Sequence, residues 1–200
     1  MIEVELKAHV ADRAAVEMAL ASFAVFDGPV DKLDAYWHGP DWRLARGKKG
    51  FRVRAEGGRS VVTFKNKRSE GGIEVNRERE FEISDAEAFA EFAQRLGCEP
   101  FYRKRKRGAR YRVDPEADAD LRPACDGMDR REATIELVEV EGLGDFIEIE
   151  VLLPDDDASA VTRARDEIRS LLERAGIPAE AVEPRYYSEL LMEAGMVPRL

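Results

Sequence analysis

Met1-Ile2-Glu3-Val4-Glu5-Leu6-Lys7 opens the chain. Read at the two-residue period of a strand, Glu3, Glu5 and Lys7 fall on one face and Ile2, Val4 and Leu6 on the other. Alone, this describes either the wet face of an ordinary sheet or one wall of an enclosed polar site. Repetition favours the second reading. Arg52 and Arg54 alternate with Phe51 and Val53, and Thr63, Lys65 and Lys67 with Val62 and Phe64. Glu148 and Glu150 alternate with Ile147, Ile149 and Val151. Each strand carries charge on one face and apolar residues on the other, and the charges are grouped by sign. If the charged faces converge, they enclose carboxylates suited to a metal ion and cations suited to a highly charged anion.

Two hundred residues with 44% hydrophobic content can bury one large core, so residues 1–200 read as a single domain. The charged fraction is high, 36%, yet the apolar residues recur at strand and helix periods, which argues against disorder. No apolar run approaches the roughly 20 residues of a membrane span. No basic-then-apolar leader precedes the first strand, so the expectation is a soluble, cytoplasmic protein. The net charge of −9 disfavours nucleic-acid binding, because the long-range field repels phosphate. Any polyanion should therefore be small and met by a local basic pocket. Cys98 and Cys125, with two scattered histidines, offer no zinc spacing and read as a reduced pair.

Beyond the first strand, residues 11–23 read as a helix with Val16, Ala19, Leu20 and Phe23 on its apolar face and Asp12 at its first turn. Residues 32–37 look extended, 38–50 loop-like. Strands follow at 51–56 and 60–67 around the turn Glu56-Gly57-Gly58-Arg59. A long strand at 73–83 places Glu74, Asn76, Glu78, Glu80 and Glu82 on one face. Ser84 with Glu87 resembles a capping box opening a helix whose buried stripe is Phe89, Phe92, Ala93 and Leu96. The basic run Arg103-Lys104-Arg105-Lys106-Arg107 reads equally as surface charge or, with half its side chains inward, as an anion site. Residues 114–131, acidic and aperiodic, read as a long mobile loop. Strands at 133–140 and 145–153, a helix at 158–175 and a short helix at 185–192 complete the chain. Asp155-Asp156-Asp157 reads as a complement to the helix dipole in preference to a metal site.

Taken in order, these residues resemble the motifs of one family. Glu3-x-Glu5-x-Lys7 is similar to the ExExK signature of the CYTH superfamily, the triphosphate tunnel metalloenzymes. Asp34-Ala35-Tyr36 resembles its D-x-Y, Phe51-Arg52-Val53-Arg54 its LRxR and Thr63-Phe64-Lys65 its TxK. Gly142-Leu143-Gly144-Asp145-Phe146-Ile147-Glu148-Ile149-Glu150 is similar to the GLGxFxExE stretch of the class IV adenylyl cyclase-like branch, and Arg185-Tyr186-Tyr187-Ser188-Glu189-Leu190-Leu191 to its C-terminal (R)SYxxLL.

The resemblance implies an α+β fold, an eight-stranded antiparallel β-barrel open as a tunnel, with helices packed outside. It implies that Glu3, Glu5, Glu148 and Glu150 hold Mg²⁺ or Mn²⁺ through hard oxygen donors. Arg52, Arg54, Lys65, Lys104 and Lys106, with Glu78, Glu80 and Arg185, are the implied substrate-binding set, and Lys7, Tyr36 and Lys65 the implied catalytic one. The substrate is expected to be a small-molecule triphosphate: ATP, thiamine triphosphate or tripolyphosphate. The expected activity is cyclase-like, ATP to cyclic AMP and pyrophosphate. A triphosphatase and a non-catalytic nucleotide or polyphosphate-binding module are the alternatives. A homodimer is left open. One family position departs: the usual Asp four residues before Gly142 is Val138. Glu136, two residues earlier, either replaces it as a metal ligand or is surface charge. The inward register of 103–107 also stays open by one residue.

Overall fold

The alternation of residues 2–7 is the inside–outside alternation of a closed barrel. The computed structural model describes residues 1–41, 50–113 and 132–197, with the side chains of 66–70 excepted. The strands are β1 (Ile2–His9), β2 (Val25–His38), β3 (Gly50–Glu56), β4 (Arg59–Glu70), β5 (Ile73–Ile83), β6 (Glu99–Val113), β7 (Ala133–Val140) and β8 (Gly144–Leu153). They close in the order β1-β5-β4-β3-β2-β6-β7-β8, every pair antiparallel, so no strand is an edge strand. β1 lies between β5 and β8, with Glu5 opposite Glu74 on one side and Glu150 on the other. Gly57 and Gly58, at φ 57° and 78°, give β3 and β4 the two-residue turn whose twist matches the strands.

The outward residues make the core. Val4 and Leu6, with Ile135, Leu137, Ile147 and Ile149, are buried under α1 (Arg13–Leu20) and α3 (Ala158–Arg174). Asp12 caps α1 by accepting from the Ala15 N–H, and Asp157 caps α3 by accepting from the Ala160 N–H. The acidic triplet at 155–157 thus serves a helix start. On the other side α2 (Ala86–Arg95) lays Phe89 and Ala93 on Phe51, Val53 and Val62.

Two expectations for α2 are corrected. Its cap is Asp85, not Ser84: the Asp85 carboxylate accepts from the N–H groups of both Glu87 and Ala88. An ionised acceptor serving two donors also suits the helix dipole better than a hydroxyl. Phe92 and Leu96 are exposed, because the helix touches the sheet along the narrower line of Phe89 and Ala93.

At one end the barrel is lined by apolar side chains. Val30, Val138, Val140 and Phe146 share the inward parity of Lys32, Glu136 and Glu148, and they pack with Tyr187 and Leu190 of α4 (Tyr187–Glu193). α4 therefore covers this end. Residues 42–49, the expected loop 114–131 and Cys125 lie outside the described residues, as does the side chain of Lys67. Among the described residues no helix is long and apolar enough to cross a membrane.

Candidate active site

The interior is divided by sign, and the division follows strand order. The contiguous strands β7, β8, β1 and β5 turn inward Glu136, Glu148, Glu150, Glu3, Glu5, Glu74, Glu78 and Glu80. The other four, β4, β3, β2 and β6, turn inward Lys65, Arg52, Arg54, Lys32, Lys104, Lys106 and Arg110. Lys7 is the buried cation on the acidic side. On the basic side Asp34 is buried, and the carboxylates Glu56 and Asp27 also line the cavity, paired with Arg110 and Arg112. Together the two halves surround a cavity of about 1250 Å³.

On the basic side Asp34 is fully buried and takes a two-point contact from Arg54, with Lys104 at 3.5 Å and Arg52 at 3.9 Å. Burial alone would raise its pKa, but Arg54 and Lys104 outweigh that and hold the carboxyl well below the usual range. Lys104 is pushed the other way. Burial and the neighbouring Lys106 ammonium lower it well below the ordinary lysine value. Tyr36 stacks on Tyr102 with ring centres 4.3 Å apart and lies 5.5 Å beneath the Lys104 ammonium.

On the acidic side Glu3 accepts from Lys65 at 2.5 Å and from Asn76 at 3.1 Å. Burial opposes its ionisation, yet Lys65 keeps it below the usual value. Glu5 and Glu150 face each other across the β1–β8 ladder. Burial and then Glu3 push Glu5 up, and burial with Glu3 and Glu5 pushes Glu150 up to about 8. Glu78 rises to about 7 through burial and Glu3. Glu148 is instead drawn down: burial would raise it, but Lys106 and Lys104 outweigh burial, and it pairs with Lys106.

This donor set fits a hard divalent cation. Glu5, Glu74 and Glu150 share one rung across three adjacent strands, and beside them the Oδ1 of buried Asn76 has no hydrogen-bond partner. Oxygen donors that repel one another until a cation joins them are the chemistry Mg²⁺ and Mn²⁺ prefer. Among the described residues no three such side chains already converge at ligand spacing. The fit rests on donor type and charge.

Of the candidates from sequence, Glu3, Glu5, Lys7, Tyr36, Arg52, Arg54 and Lys65 line one cavity with Glu78, Glu80, Lys104, Lys106, Glu136, Glu148 and Glu150. Arg185 is not brought there. It lies on the surface, clamped to Glu183 and Glu193. The register of the basic run is resolved: Lys104 and Lys106 are buried inward, while Arg105 and Arg107 reach outward to Asp31. Glu136 is buried, not surface charge, and is held by Lys32 at 2.5 Å and Arg110 at 3.1 Å. Val138 faces the same interior but within the apolar end. The reading of the sequence missed Lys32, Arg110 and Tyr187. Lys32 carried a signal, since it shares the strand face of Asp34 and Tyr36. Tyr187 carried none beyond its place in the terminal motif.

A closed barrel whose acidic and basic halves face each other across one cavity belongs to the class of triphosphate tunnels. The chain belongs to the CYTH domain family, whose model matches residues 1–187. A Methanocaldococcus jannaschii protein named "putative adenylate cyclase" is 26% identical over 191 residues, covering 95% of this chain and 98% of that one. The PH1012 protein of Pyrococcus horikoshii is similar in structure, with a TM-score of 0.71 and 28% identity over 94% of this chain and 98% of that one. A Hippeastrum protein, described as a "putative adenylyl cyclase" with a dominant triphosphatase activity, shares the fold. Its TM-score is 0.60 at 14% identity, covering 98% of this chain and 97% of that one.

Proposed function

We propose that this barrel is a divalent-metal-dependent enzyme acting on a triphosphate, and that its reaction is class IV adenylyl cyclase-like, ATP to cyclic AMP and pyrophosphate. The observation that carries the reading is the division of the interior by strand order. A triphosphate brings about four negative charges near neutral pH, and it needs cations on one side and shared metal on the other. The basic half supplies Arg52, Arg54, Lys104 and Lys106 for the phosphate oxygens, the arginines through planar two-point contacts. Glu3, Glu5, Glu148 and Glu150, with Glu136 beside them, are the candidate Mg²⁺ or Mn²⁺ ligands. A cation bound there would neutralise phosphate oxygens and align in-line attack.

Binding would exchange the internal pairs. Lys65 leaves Glu3 and Glu78 for phosphate, and Lys106 leaves Glu148, freeing those carboxylates for metal. Tyr36, under Lys104, and Lys7, which pairs with Glu74 at 3.6 Å, stand where they can orient the reacting groups. In the cyclase reaction the ribose 3′-hydroxyl attacks the α-phosphorus, loses its proton and expels pyrophosphate.

The second reading is a triphosphatase, in which water attacks the γ-phosphorus. The charged side chains of the interior address a phosphate chain whatever group it carries, and this favours it. Both readings are tested by incubating the purified protein with ATP, thiamine triphosphate and tripolyphosphate, each with Mg²⁺ or Mn²⁺. Cyclic AMP with pyrophosphate supports the cyclase and orthophosphate supports the triphosphatase. Tight binding with no product would replace both with a non-catalytic binding module.

A further inference from the structure

The C-terminal segment buries the side chain of Tyr187 in the charged interior. Pairing of β1 with β5 stops at Leu6, and the chain end takes up the free edge beyond it. Ala8 bridges to Val182, and the Glu183 N–H donates to the Lys7 carbonyl at 2.9 Å. Four residues later the chain enters α4, whose first turn is held by the Glu189 carboxylate accepting from the Tyr186 N–H. Tyr187 then points inward. It is 9% exposed, its ring packs edge-on to Phe146, and its hydroxyl donates to Glu148 at 2.6 Å.

Three ammonium groups gather on that ring. Lys104 lies 4.3 Å from the ring centre, Lys106 5.4 Å and Lys7 5.5 Å. They come from β6 and β1, strands that are not neighbours in the barrel. Three buried cations placed this close repel one another, and each also leans on its own carboxylate: Lys7 on Glu74, Lys104 on Asp34 and Lys106 on Glu148. The aromatic face between them offers negative charge density that all three share, and it stays in place when those carboxylates are exchanged for ligand. Packing on Phe146 sets the ring's position in the cavity, and the hydroxyl's bond to Glu148 adds to it.

We infer that Tyr187 is a positioning residue of the anion site: its ring face holds Lys7, Lys104 and Lys106 together, ready for phosphate oxygens. This rests on the reading of the tunnel as a polyanion site. Pre-set donors lower the cost of ordering them when the ligand arrives.

The test has two parts. In the ligand-free protein, the ε-methylene protons of Lys7, Lys104 and Lys106 should show upfield ring-current shifts by NMR. Those shifts should persist in Tyr187→Phe and vanish in Tyr187→Leu, with Tyr187→Met as the non-aromatic alternative should the leucine variant fail to fold. By calorimetry with tripolyphosphate and Mg²⁺, the non-aromatic variant should bind about tenfold more weakly or worse, about 1.4 kcal/mol. Tyr187→Phe should stay within about threefold of the parent protein, which purely structural damage would not spare. Unshifted lysines in the parent protein, or a non-aromatic variant binding as tightly as the parent, overturns the inference while leaving the polyanion site standing. Shifted lysines in a parent protein that does not bind tripolyphosphate overturns the polyanion reading, and the role of Tyr187 with it.

Discussion

Asp34 accepts from Nε and Nη2 of Arg54 at 2.7 and 3.0 Å, a two-point contact across the β2–β3 ladder with no exposure of the carboxylate. The two residues are directly opposed, so the guanidinium plane is set by backbone pairing and not by side-chain chance. Arg52 and Lys104 lean on the same carboxylate. One buried anion therefore organises three cations of the basic wall.

Replacing it removes the one carboxylate that all three share. Asp34→Asn should destabilise the fold by about 3–5 kcal/mol, the cost of leaving buried charge unpaired. Urea denaturation at pH 7 measures this. A loss below about 1 kcal/mol would show that the cations find other partners.

Glu150 gives the opposite sign. Its carboxyl is raised from 4.5 to about 8 by burial, Glu3 and Glu5. A carboxyl raised in the folded state costs stability as pH climbs from about 4.5 towards 8, because the unfolded chain releases its proton first. Glu150→Gln has no such titration. Its melting temperature should exceed that of the parent protein by a margin that grows from pH 5 to 8 and then levels. Added Mn²⁺ should stabilise the parent more than the variant, whose Mn²⁺ affinity falls with the lost donor. A margin independent of pH would remove Glu150 from the repelling cluster.

Much of this was legible in the sequence, and for identifiable reasons. Residues 2–7, 51–54 and 147–151 alternate strictly, so their inward faces follow from the strand period alone. Residues 103–107 could not be read that way, since five consecutive cations carry no alternation. Only barrel closure shows that the lysine parity faces in and the arginine parity faces out toward Asp31. The helix stripe of α2 over-predicted burial because an apolar period says which face turns to the sheet, not how wide the contact is. Arg185 sits in a terminal motif that matched as a string, yet its neighbours Glu183 and Glu193 hold it on the outside. Tyr186, Tyr187 and Ser188 of the same motif line the cavity, and Tyr187 is the buried one. Val138 occupies the inward face at the apolar end, where a carboxylate would meet Phe146 and Leu190, and this depends on the path of α4.

Arg52 differs from Arg54 in its commitments. Its Nη2 reaches the Thr63 hydroxyl at 3.0 Å but the Glu78 and Glu80 carboxylates only at 3.5 and 3.6 Å. Its Nε is buried with no hydrogen-bond partner. Arg52 is thus the arginine able to turn to a ligand. Arg52→Ala should weaken tripolyphosphate binding by about 10–100-fold, the worth of one or two hydrogen bonds to a charged group. Pyrophosphate, too short to span the wall, should lose less. Equal losses by calorimetry would show that Arg52 does not read chain length.

The last prediction concerns the strap beneath α4. Glu183 accepts from the side chain and the backbone N–H of Arg185, and its Oε2 lies 3.1 Å from His9 Nε2. Arg185 chiefly, and then its backbone N–H and His9, outweigh burial and hold the carboxyl at about 2, against an ordinary 4.5. A carboxyl depressed in the folded state contributes stability that is fully present above its unfolded value and lost as pH falls through the folded one. Glu183→Gln should therefore melt below the parent protein at pH 7 by a constant margin down to about pH 5. Between pH 4.5 and 2 that margin should close, as the parent's own carboxyl takes up its proton. Since Glu183 also ties the chain end to β1 through its N–H, which the glutamine variant keeps, α4 should stay docked and the loss should be in stability alone. Melting curves of the two proteins across that range decide it. A margin that persists unchanged to pH 3 would mean that the carboxylate's charge contributes nothing to the strap.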